Sequence, residues 1–284
     1  MIRRASSIEL GGPGVDPVLL GKRERLSALL GGMGRTLVAY SGGVDSSFLL
    51  AEAHRVLGAR AQGVIAKSPS LPATELSQAL DLAAERGIPV RIVETREMDR
   101  AAYQANGPDR CFHCKTELFQ VLERIAAEES WDSLAYGALV DDLGDVRPGM
   151  AAAERCRVRA PLIEAGLGKL EVRILARRMG LRVWDKPQSA CLASRIPHGS
   201  PVTEEKLAQV ERGEAWLRDA FGLGVVRLRH EGRTARIEVL PGEIPRLAAE
   251  EAMLLIKREL AGIGFDEVRI DPRGYRRPDP QPET

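Results

Sequence analysis

The chain has 284 residues, enough for one large domain or two modest ones. Its hydrophobic share of 44% and charged share of 29% are those of a soluble globular protein, and its net charge of +1 argues against a large basic surface for nucleic acid. No apolar run is long enough to span a bilayer, and the first residues lack a signal-peptide core. We therefore expect a cytoplasmic protein that binds neither membrane nor nucleic acid.

The first half of the chain alternates strand-like and helix-like segments. After a helix over 19–30, the pattern predicts strands over 36–40, 61–66 and 89–93, separated by helices over 46–57 and 72–86. A β-α-β-α-β order is typical of a doubly wound, Rossmann-like parallel sheet of the α/β class. Further predicted elements are a helix over 116–128, a fourth strand over 134–139, a short extended piece over 161–163 and a helix over 169–179.

The pattern changes after residue 190. A helix over 203–220, a hairpin of strands 225–229 and 235–240, a helix over 247–260 and a strand over 267–270 predict a small α+β domain. We place the α/β domain at residues 1–190, the α+β domain at 191–275 and a disordered, proline-rich tail at 276–284.

The most informative stretch joins the first strand to the following helix and reads Ser41-Gly42-Gly43-Val44-Asp45-Ser46-Ser47. Glycines let a backbone approach a ligand closely, and a helix N-terminus attracts anions. The stretch predicts a phosphate site at Ser41, Gly42, Gly43, Asp45, Ser46 and Ser47. Asp45 requires a metal or an N–H partner beside a phosphate. An ordinary capped helix is the alternative, since serine and aspartate also cap helices.

The same stretch resembles the PP-loop of enzymes that cleave ATP between the α and β phosphates. That resemblance implies ATP, magnesium and an adenylated intermediate. Asp142, Asp145 and Arg147 follow the fourth strand, and ligands of such sheets bind at the carboxyl ends of strands. We therefore expect these three residues to contact ribose or phosphate, with a solvated turn as the alternative.

Three of the four cysteines suggest a metal site. Cys111 and Cys114 form a CxxC flanked by Arg110 and Lys115, and neighbouring positive charge predicts lowered thiol pKa values. Two cysteines cannot fill a tetrahedral zinc site, so Cys191, at the domain boundary, is the candidate third ligand. Three cysteines with one open position suit an iron–sulfur cluster. A thioredoxin-like redox pair and ordinary buried cysteines remain alternatives.

Two residues near this pattern carry weaker predictions. Cys156 lies among arginines and is predicted to take no part in the site. His113, inside the CxxC, is either a fourth ligand or simply a polar neighbour of the cysteines, and we favour the neighbour.

Three segments together resemble the LarE family of ATP-dependent sulfur transferases, namely residues 106–115, 142–149 and 189–199. The resemblance extends from about residue 37 to residue 240. It implies adenylation of a carboxylate of pyridinium-3,5-biscarboxylic acid mononucleotide and replacement of the activated oxygen by sulfur, a step towards the nickel-pincer nucleotide cofactor. Some members sacrifice the sulfur of one cysteine, whereas others hold a 4Fe–4S cluster on three. Cys191 takes the sulfur-donor position in both versions, and Cys111 with Cys114 favours the cluster.

Several polar residues after the third cysteine are candidates for the substrate site. Ser194 and Arg195 are expected to bind substrate phosphate. Arg229, Glu214 and Glu238 are expected to approach the site across a subunit contact, so we predict a homo-oligomer. The expected partners are a small-molecule nucleotide substrate and a sulfide source. For all five residues a solvated surface is the alternative.

Three other functions remain open at this point. PP-loop enzymes with a CxxC and a third cysteine also sulfurate tRNA, although a tRNA thiolase should show a basic surface. A redox-sensing nucleotide-binding module would not release pyrophosphate. An amidotransferase-type synthetase would not need the three cysteines.

Overall fold

The computed structural model of the protein describes residues 16–144, 148–187 and 190–275. Four parallel strands form the first sheet in the order β3-β2-β1-β4: β1 (Thr36–Ala39), β2 (Ala61–Lys67), β3 (Val90–Glu94) and β4 (Ser133–Tyr136). The chain moves outward from β1 to β3 and then returns to place β4 on the other side of β1. This reversal opens a crevice between the carboxyl ends of β1 and β4.

Helices flank both faces of the sheet, as expected for a doubly wound fold. In chain order the helices of the described residues are α1 (Pro17–Gly31), α2 (Val44–Leu57), α3 (Ala73–Glu85), α4 (Ala101–Gln104), α5 (Arg110–Glu129), α6 (Pro148–Arg155), α7 (Pro161–Glu164), α8 (Lys169–Arg178), α9 (Glu204–Phe221), α10 (Ile244–Ala248) and α11 (Glu250–Ile263). The last three pack against a second, smaller sheet. None of the helices in the described ranges combines the length and apolar content needed to span a bilayer.

Alternate residues of β1 supply the cores on the two faces of the sheet. Val38 packs in a core formed with α1, α2, α3 and α8, whereas Leu37 and Ala39 pack in a second core with α5 and α6. All three side chains are buried, because a central strand has neighbours on both faces. The predicted fold class is thereby confirmed.

A smaller, three-stranded sheet follows, in the order β5-β6-β7, with β5 (Val226–Glu231), β6 (Thr234–Val239) and β7 (Glu267–Ile270). The predicted hairpin is present as β5 and β6, which pair antiparallel, while β7 runs parallel to β6. The core under this sheet also includes Tyr103 and Leu192. The domain boundary at residue 190 stays a prediction, and the tail 276–284 lies outside the described residues.

One sequence prediction was wrong in a way that matters for the site. Helix α5 begins at Arg110 and not at residue 116, so the CxxC occupies its first turn. The preceding turn already forms helix-like hydrogen bonds: the Arg110 amide donates to the Gly107 carbonyl at 3.1 Å, and the Phe112 amide donates to the Asp109 carbonyl at 2.8 Å. Cys111 and Cys114 are therefore held on a helix.

Two other boundaries also differ from the predictions. The expected extended piece at 161–163 is wrong, because Pro161 begins the short helix α7, where its fixed φ suits the first turn. The extended contact comes earlier, as Arg159 forms a parallel bridge with Ala135 of β4. The helix predicted over 247–260 is divided into α10 and α11 by the extended Ala249.

The backbone after β4 comes very close to the start of α2. A Cβ added to Gly137 would lie 2.9 Å from the Ser46 amide nitrogen and 3.0 Å from the Asp45 carbonyl carbon. Since both neighbours are backbone atoms, neither can move aside as a side chain could. Gly137 therefore sets how closely the two sides of the crevice approach.

We expect Gly137→Ala to lower the free energy of unfolding by about 1–3 kcal/mol, the usual cost of overpacking a close contact. Urea denaturation measures this change. Gly242→Ala is the matched control, since a Cβ there meets nothing within 4 Å and its φ is not positive. Equal midpoints for the two variants would contradict the assigned contact.

Candidate active site

The turn between β1 and α2 has the conformation that a phosphate cradle requires. Gly42 has a φ of 72°, and a Cβ there would lie 2.6 Å from the Cβ of Ala79, so only glycine fits. Gly43 occupies the N-cap position of α2, and no side chain caps this helix. The amides of its first turn are therefore directed toward the crevice with the positive end of the helix dipole.

Two serine hydroxyls brace the turn. The Ser46 hydroxyl accepts a hydrogen bond from the Ser41 amide at 3.1 Å and lies 3.0 Å from the Ser41 hydroxyl. It also donates to the Gly43 carbonyl at 3.3 Å. Ser41 is exposed, whereas Ser46 and Ser47 are buried. The turn is thus organised before any ligand arrives.

Asp45 has a cationic partner that its sequence neighbourhood does not provide. Both of its carboxylate oxygens accept from Lys169 Nζ, at 2.9 and 3.2 Å. Lys169 begins α8, and its backbone amide donates to Asp141 at 2.8 Å. Burial raises the pKa of Asp45, and the Lys169 charge opposes that rise. Sequence reasoning missed Lys169, which is 124 residues away and carries no motif of its own.

A pocket of about 340 Å³ opens at the crevice. It brings together residues that follow β1, residues that follow β4 and one side of α5, including Ser41, Gly43, Asp45, Ser46, Cys111, Lys115, Tyr136, Gly137 and Asp142. Asp142 lies after β4, in the 3₁₀ turn Val140–Gly144, where its carboxylate accepts from the Leu139 amide at 2.8 Å. Asp145 and Arg147 fall outside the described residues. Lys115, which sequence reasoning treated only as a neighbour of the thiols, adds a cation to the pocket.

The three predicted thiols lie between this pocket and the core under the smaller sheet, with Cys111 lining the pocket. Cys111 is exposed, whereas Cys114 and Cys191 are half-buried and pack against the core under the smaller sheet. Burial raises the pKa of Cys114 to about 12, and the charges of Glu97, Cys191 and Cys111 add to the rise while Lys115 opposes it. The lowered pKa predicted for this thiol is therefore wrong, since burial outweighs the flanking cation.

The described side chains around these thiols do not form a ready metal site. Within the described ranges, no three Cys, His, Asp or Glu side chains already stand in a metal-binding arrangement. Cys156 is buried in the core beneath α5 and α6. His113 pairs with Asp109, with Nε2 2.9 Å from the carboxylate. Cys111 and Cys191 both lie close enough to Cys114 for their charges to raise its pKa.

Two predicted substrate residues form a buried ion pair. The Arg195 guanidinium donates to Glu214 at 2.8 and 3.3 Å, and the two side chains are 2% and 1% exposed. Arg195 also donates to the carbonyls of Ala190 and Cys191, at 2.6 and 3.1 Å. The pair therefore supports the backbone at Cys191, and a direct contact of either residue with substrate stays a prediction.

The remaining candidates are more accessible. Arg229 pairs with Glu238, with its Nη2 2.8 Å from the carboxylate, and donates to the Ser194 carbonyl at 3.0 Å. The Ser194 hydroxyl donates to the Cys191 carbonyl at 2.8 Å. The structure thus brings Ser194, Arg229 and Glu238 beside the third cysteine within one chain. The expected approach of Arg229 and Glu238 across a subunit contact, and a role of the three residues in binding substrate, stay predictions.

The sequence of the chain is similar to those of several known proteins. No protein-family model matches the chain. The chain is 40% identical over 259 residues to an uncharacterized protein of Synechocystis sp., covering 91% of this chain and 96% of that protein. It is 33% identical over 256 residues to pyridinium-3,5-bisthiocarboxylic acid mononucleotide synthase of Lactiplantibacillus plantarum, covering 90% and 92%. It is 32% identical over 243 residues to tRNA-specific 2-thiouridylase MnmA of Geobacter metallireducens, covering 70% and 64%.

The buried carboxylate of Glu97 offers a test of the thiol environment. Glu97 is 2% exposed, and among the described residues its Oε2 has no hydrogen-bond partner. We expect Glu97→Gln to lower the pKa of Cys114 and to speed its alkylation by iodoacetamide by up to about tenfold, since one pKa unit is a factor of ten in thiolate. Tandem mass spectrometry of the metal-free Cys111→Ser background measures the rate.

The control for that measurement is Glu94→Gln, which changes an exposed glutamate on β3. It should leave the rate of Cys114 unchanged. An unchanged rate in Glu97→Gln as well would contradict the proximity of this carboxylate to the thiol.

Proposed function

The chain belongs to the LarE family, which includes pyridinium-3,5-bisthiocarboxylic acid mononucleotide synthase, and we propose that it is likewise an ATP-dependent sulfur transferase. Its substrate is pyridinium-3,5-biscarboxylic acid mononucleotide, and its product is the thiocarboxylate precursor of the nickel-pincer cofactor. The observation that carries the proposal is that Cys111 lines the same pocket as the phosphate-binding turn. Activation by ATP and delivery of sulfur therefore have adjacent sites.

The first half-reaction turns a poor leaving group into a good one. A carboxylate oxygen of the substrate attacks the α-phosphorus of ATP, and pyrophosphate leaves. The amides of Gly43 and the first turn of α2, with the hydroxyls of Ser41 and Ser46, bind the departing pyrophosphate. Lys115 and Lys169 supply positive charge at two sides of the pocket.

Magnesium fits the acidic residues of this pocket. Asp45 and Asp142 are close enough that the Asp142 charge raises the pKa of Asp45. Magnesium sites in phosphoryl-transfer enzymes commonly use one or two carboxylates together with phosphate oxygens. Asp45 and Asp142 would hold the ion, which would neutralise phosphate charge during the transfer. Without the magnesium ion, the positive charge of Lys169 would keep Asp45 ionised.

In the second half-reaction, sulfide attacks the acyl carbon and AMP leaves with the original carboxylate oxygen. Three thiols are the donor set of a 4Fe–4S cluster with one open iron, and such a cluster would supply a site for added sulfide. Cys111, Cys114 and Cys191 would hold it. The assignment is supported by the placement of Cys111 and Cys114 on one helix and by the packing of Cys114 and Cys191 against the same core. The three side chains have to converge further to bind metal.

Residues of the smaller sheet complete the proposed substrate site. Ser194, Arg229 and Glu238 lie beside Cys191 and offer hydroxyl, guanidinium and carboxylate groups to the mononucleotide. Arg195, paired with the buried Glu214, donates to the Cys191 carbonyl and so holds the backbone next to them. We further propose that a second copy of the chain contributes to this surface in a homo-oligomer.

A tRNA thiolase is the alternative, favoured by the similarity to tRNA-specific 2-thiouridylase. The net charge of +1 gives little support to a surface for RNA. Pyrophosphate release in the presence of each acceptor separates the two functions. We expect stimulation by the pyridinium mononucleotide and none by tRNA, and the opposite result would establish the alternative.

We expect Asp45→Ala and Ser46→Ala each to lower pyrophosphate release by about 10²-fold or more, because each removes a group that stabilises the transferring phosphates. Circular dichroism should show that both variants fold. Asp81→Ala, which removes an exposed carboxylate from α3, is the control and should keep the wild-type rate. Wild-type turnover in both site variants would refute the assignment of the loop.

The two sulfur chemistries differ in the mass of the protein. With a cluster, the reconstituted protein contains iron, and its polypeptide mass is unchanged after turnover. Alanine at Cys111, Cys114 or Cys191 should abolish iron binding, whereas Cys156→Ala should keep both iron and activity. Stoichiometric loss of H₂S from an iron-free, active protein would show instead that Cys191 is sacrificed.

A further inference from the structure

Asn106 connects two distant parts of the chain just before the CxxC. It is fully buried, and its φ of 56° is left-handed. Its side-chain amide donates to the carbonyls of Ile196, Pro197 and Ser200, at 3.2, 2.8 and 2.9 Å. Its own carbonyl accepts from the Gly199 amide at 3.2 Å. One residue thus binds several points of the segment that follows Cys191.

Arg110 extends this connection to the thiols themselves. It directly precedes Cys111, is 6% exposed and donates through Nη1 to Asn106 Oδ1 at 2.6 Å and to the Ala193 carbonyl at 2.8 Å. Ala193 is two residues after Cys191. A single guanidinium nitrogen therefore bridges the backbone near the third cysteine and the start of the helix that bears the other two.

The burial of Arg110 among neutral partners is not what a contact that only stabilises the fold would be expected to show. A buried guanidinium is expensive to desolvate, and the partners of Arg110 in the described structure are neutral oxygens and not carboxylates. Hydrogen bonds of a buried network fix geometry more than they add net stability. The geometry fixed here is the position of Cys191 relative to Cys111 and Cys114.

We propose that Asn106 and Arg110 are positioning residues that hold Cys191 against the CxxC helix and so set the arrangement of the three thiols. This inference rests on the proposed function in assigning those thiols a common task. Its geometric part is independent of whether the thiols hold iron. Without the two side chains, the segment after Cys191 loses its bonds to α5 and the third thiol moves away.

The test is chemical cross-linking in the metal-free protein. Dibromobimane joins two nearby thiols, and mass spectrometry of the digested protein identifies a link between Cys191 and the CxxC peptide. We expect Arg110→Met and Asn106→Gly to lower the yield of this link by about tenfold, the effect of losing one charge-assisted hydrogen bond or more. Glycine at 106 keeps the left-handed backbone accessible.

The controls separate positioning from folding. Arg124→Met removes an exposed arginine from the same helix and should leave the yield unchanged. Arg110→Lys keeps a donor and should restore part of the yield. Because Arg110→Met and Asn106→Gly remove buried hydrogen bonds, both should lower the urea midpoint, so circular dichroism under the cross-linking conditions has to show that each variant is folded. If Arg110→Met fails to fold, Asn106→Gly and Arg110→Lys carry the test.

Wild-type yields in both Arg110→Met and Asn106→Gly would overturn the proposal. Failure of the proposed function gives a different result: the wild-type protein would cross-link but bind no iron after reconstitution. In that case the positioning of the thiols stands and their assignment to a cluster falls.

Discussion

The close approach of β4 to the first turn of α2 is the constraint on which the site depends. Gly137 leaves no room for a side chain beside the Ser46 amide, so the carboxyl ends of β1 and β4 meet across one narrow crevice. The reversed strand order places a helix N-terminus on one side and polar strand ends on the other. The proposed phosphate site rests on that geometry, because the amides of the first helical turn and the helix dipole point to the same place.

Helix α5 joins the proposed sulfur site to this crevice. Its N-terminal part faces the pocket through Cys111 and Lys115, while Cys114 packs with Cys191 against the core of the smaller sheet. The helix therefore contributes to both halves of the proposed reaction. The buried pair of Arg195 and Glu214 supports the same junction from the far side, by holding the Cys191 carbonyl.

Local patterns predicted much of this structure. Strand and helix periodicity predicted the order of the elements along the chain and the class of the fold, and the Ser-Gly-Gly-Val-Asp-Ser stretch predicted the turn, because both depend on neighbouring residues. Lys169 could not be predicted, since its pairing with Asp45 arises only when α8 packs beside α2. The environment of Cys114 was mispredicted for a similar reason. Flanking charges are visible in sequence, whereas burial against a core formed much later in the chain is not.

In the proposed reaction ATP activates a carboxylate oxygen, which later departs with AMP. An isotope label on that oxygen follows it through the reaction. Substrate labelled with ¹⁸O in its carboxylates, incubated with the enzyme, magnesium ATP and sulfide, should give AMP that carries one ¹⁸O atom in its phosphate. AMP without the label, formed together with thiocarboxylate product, would contradict the account.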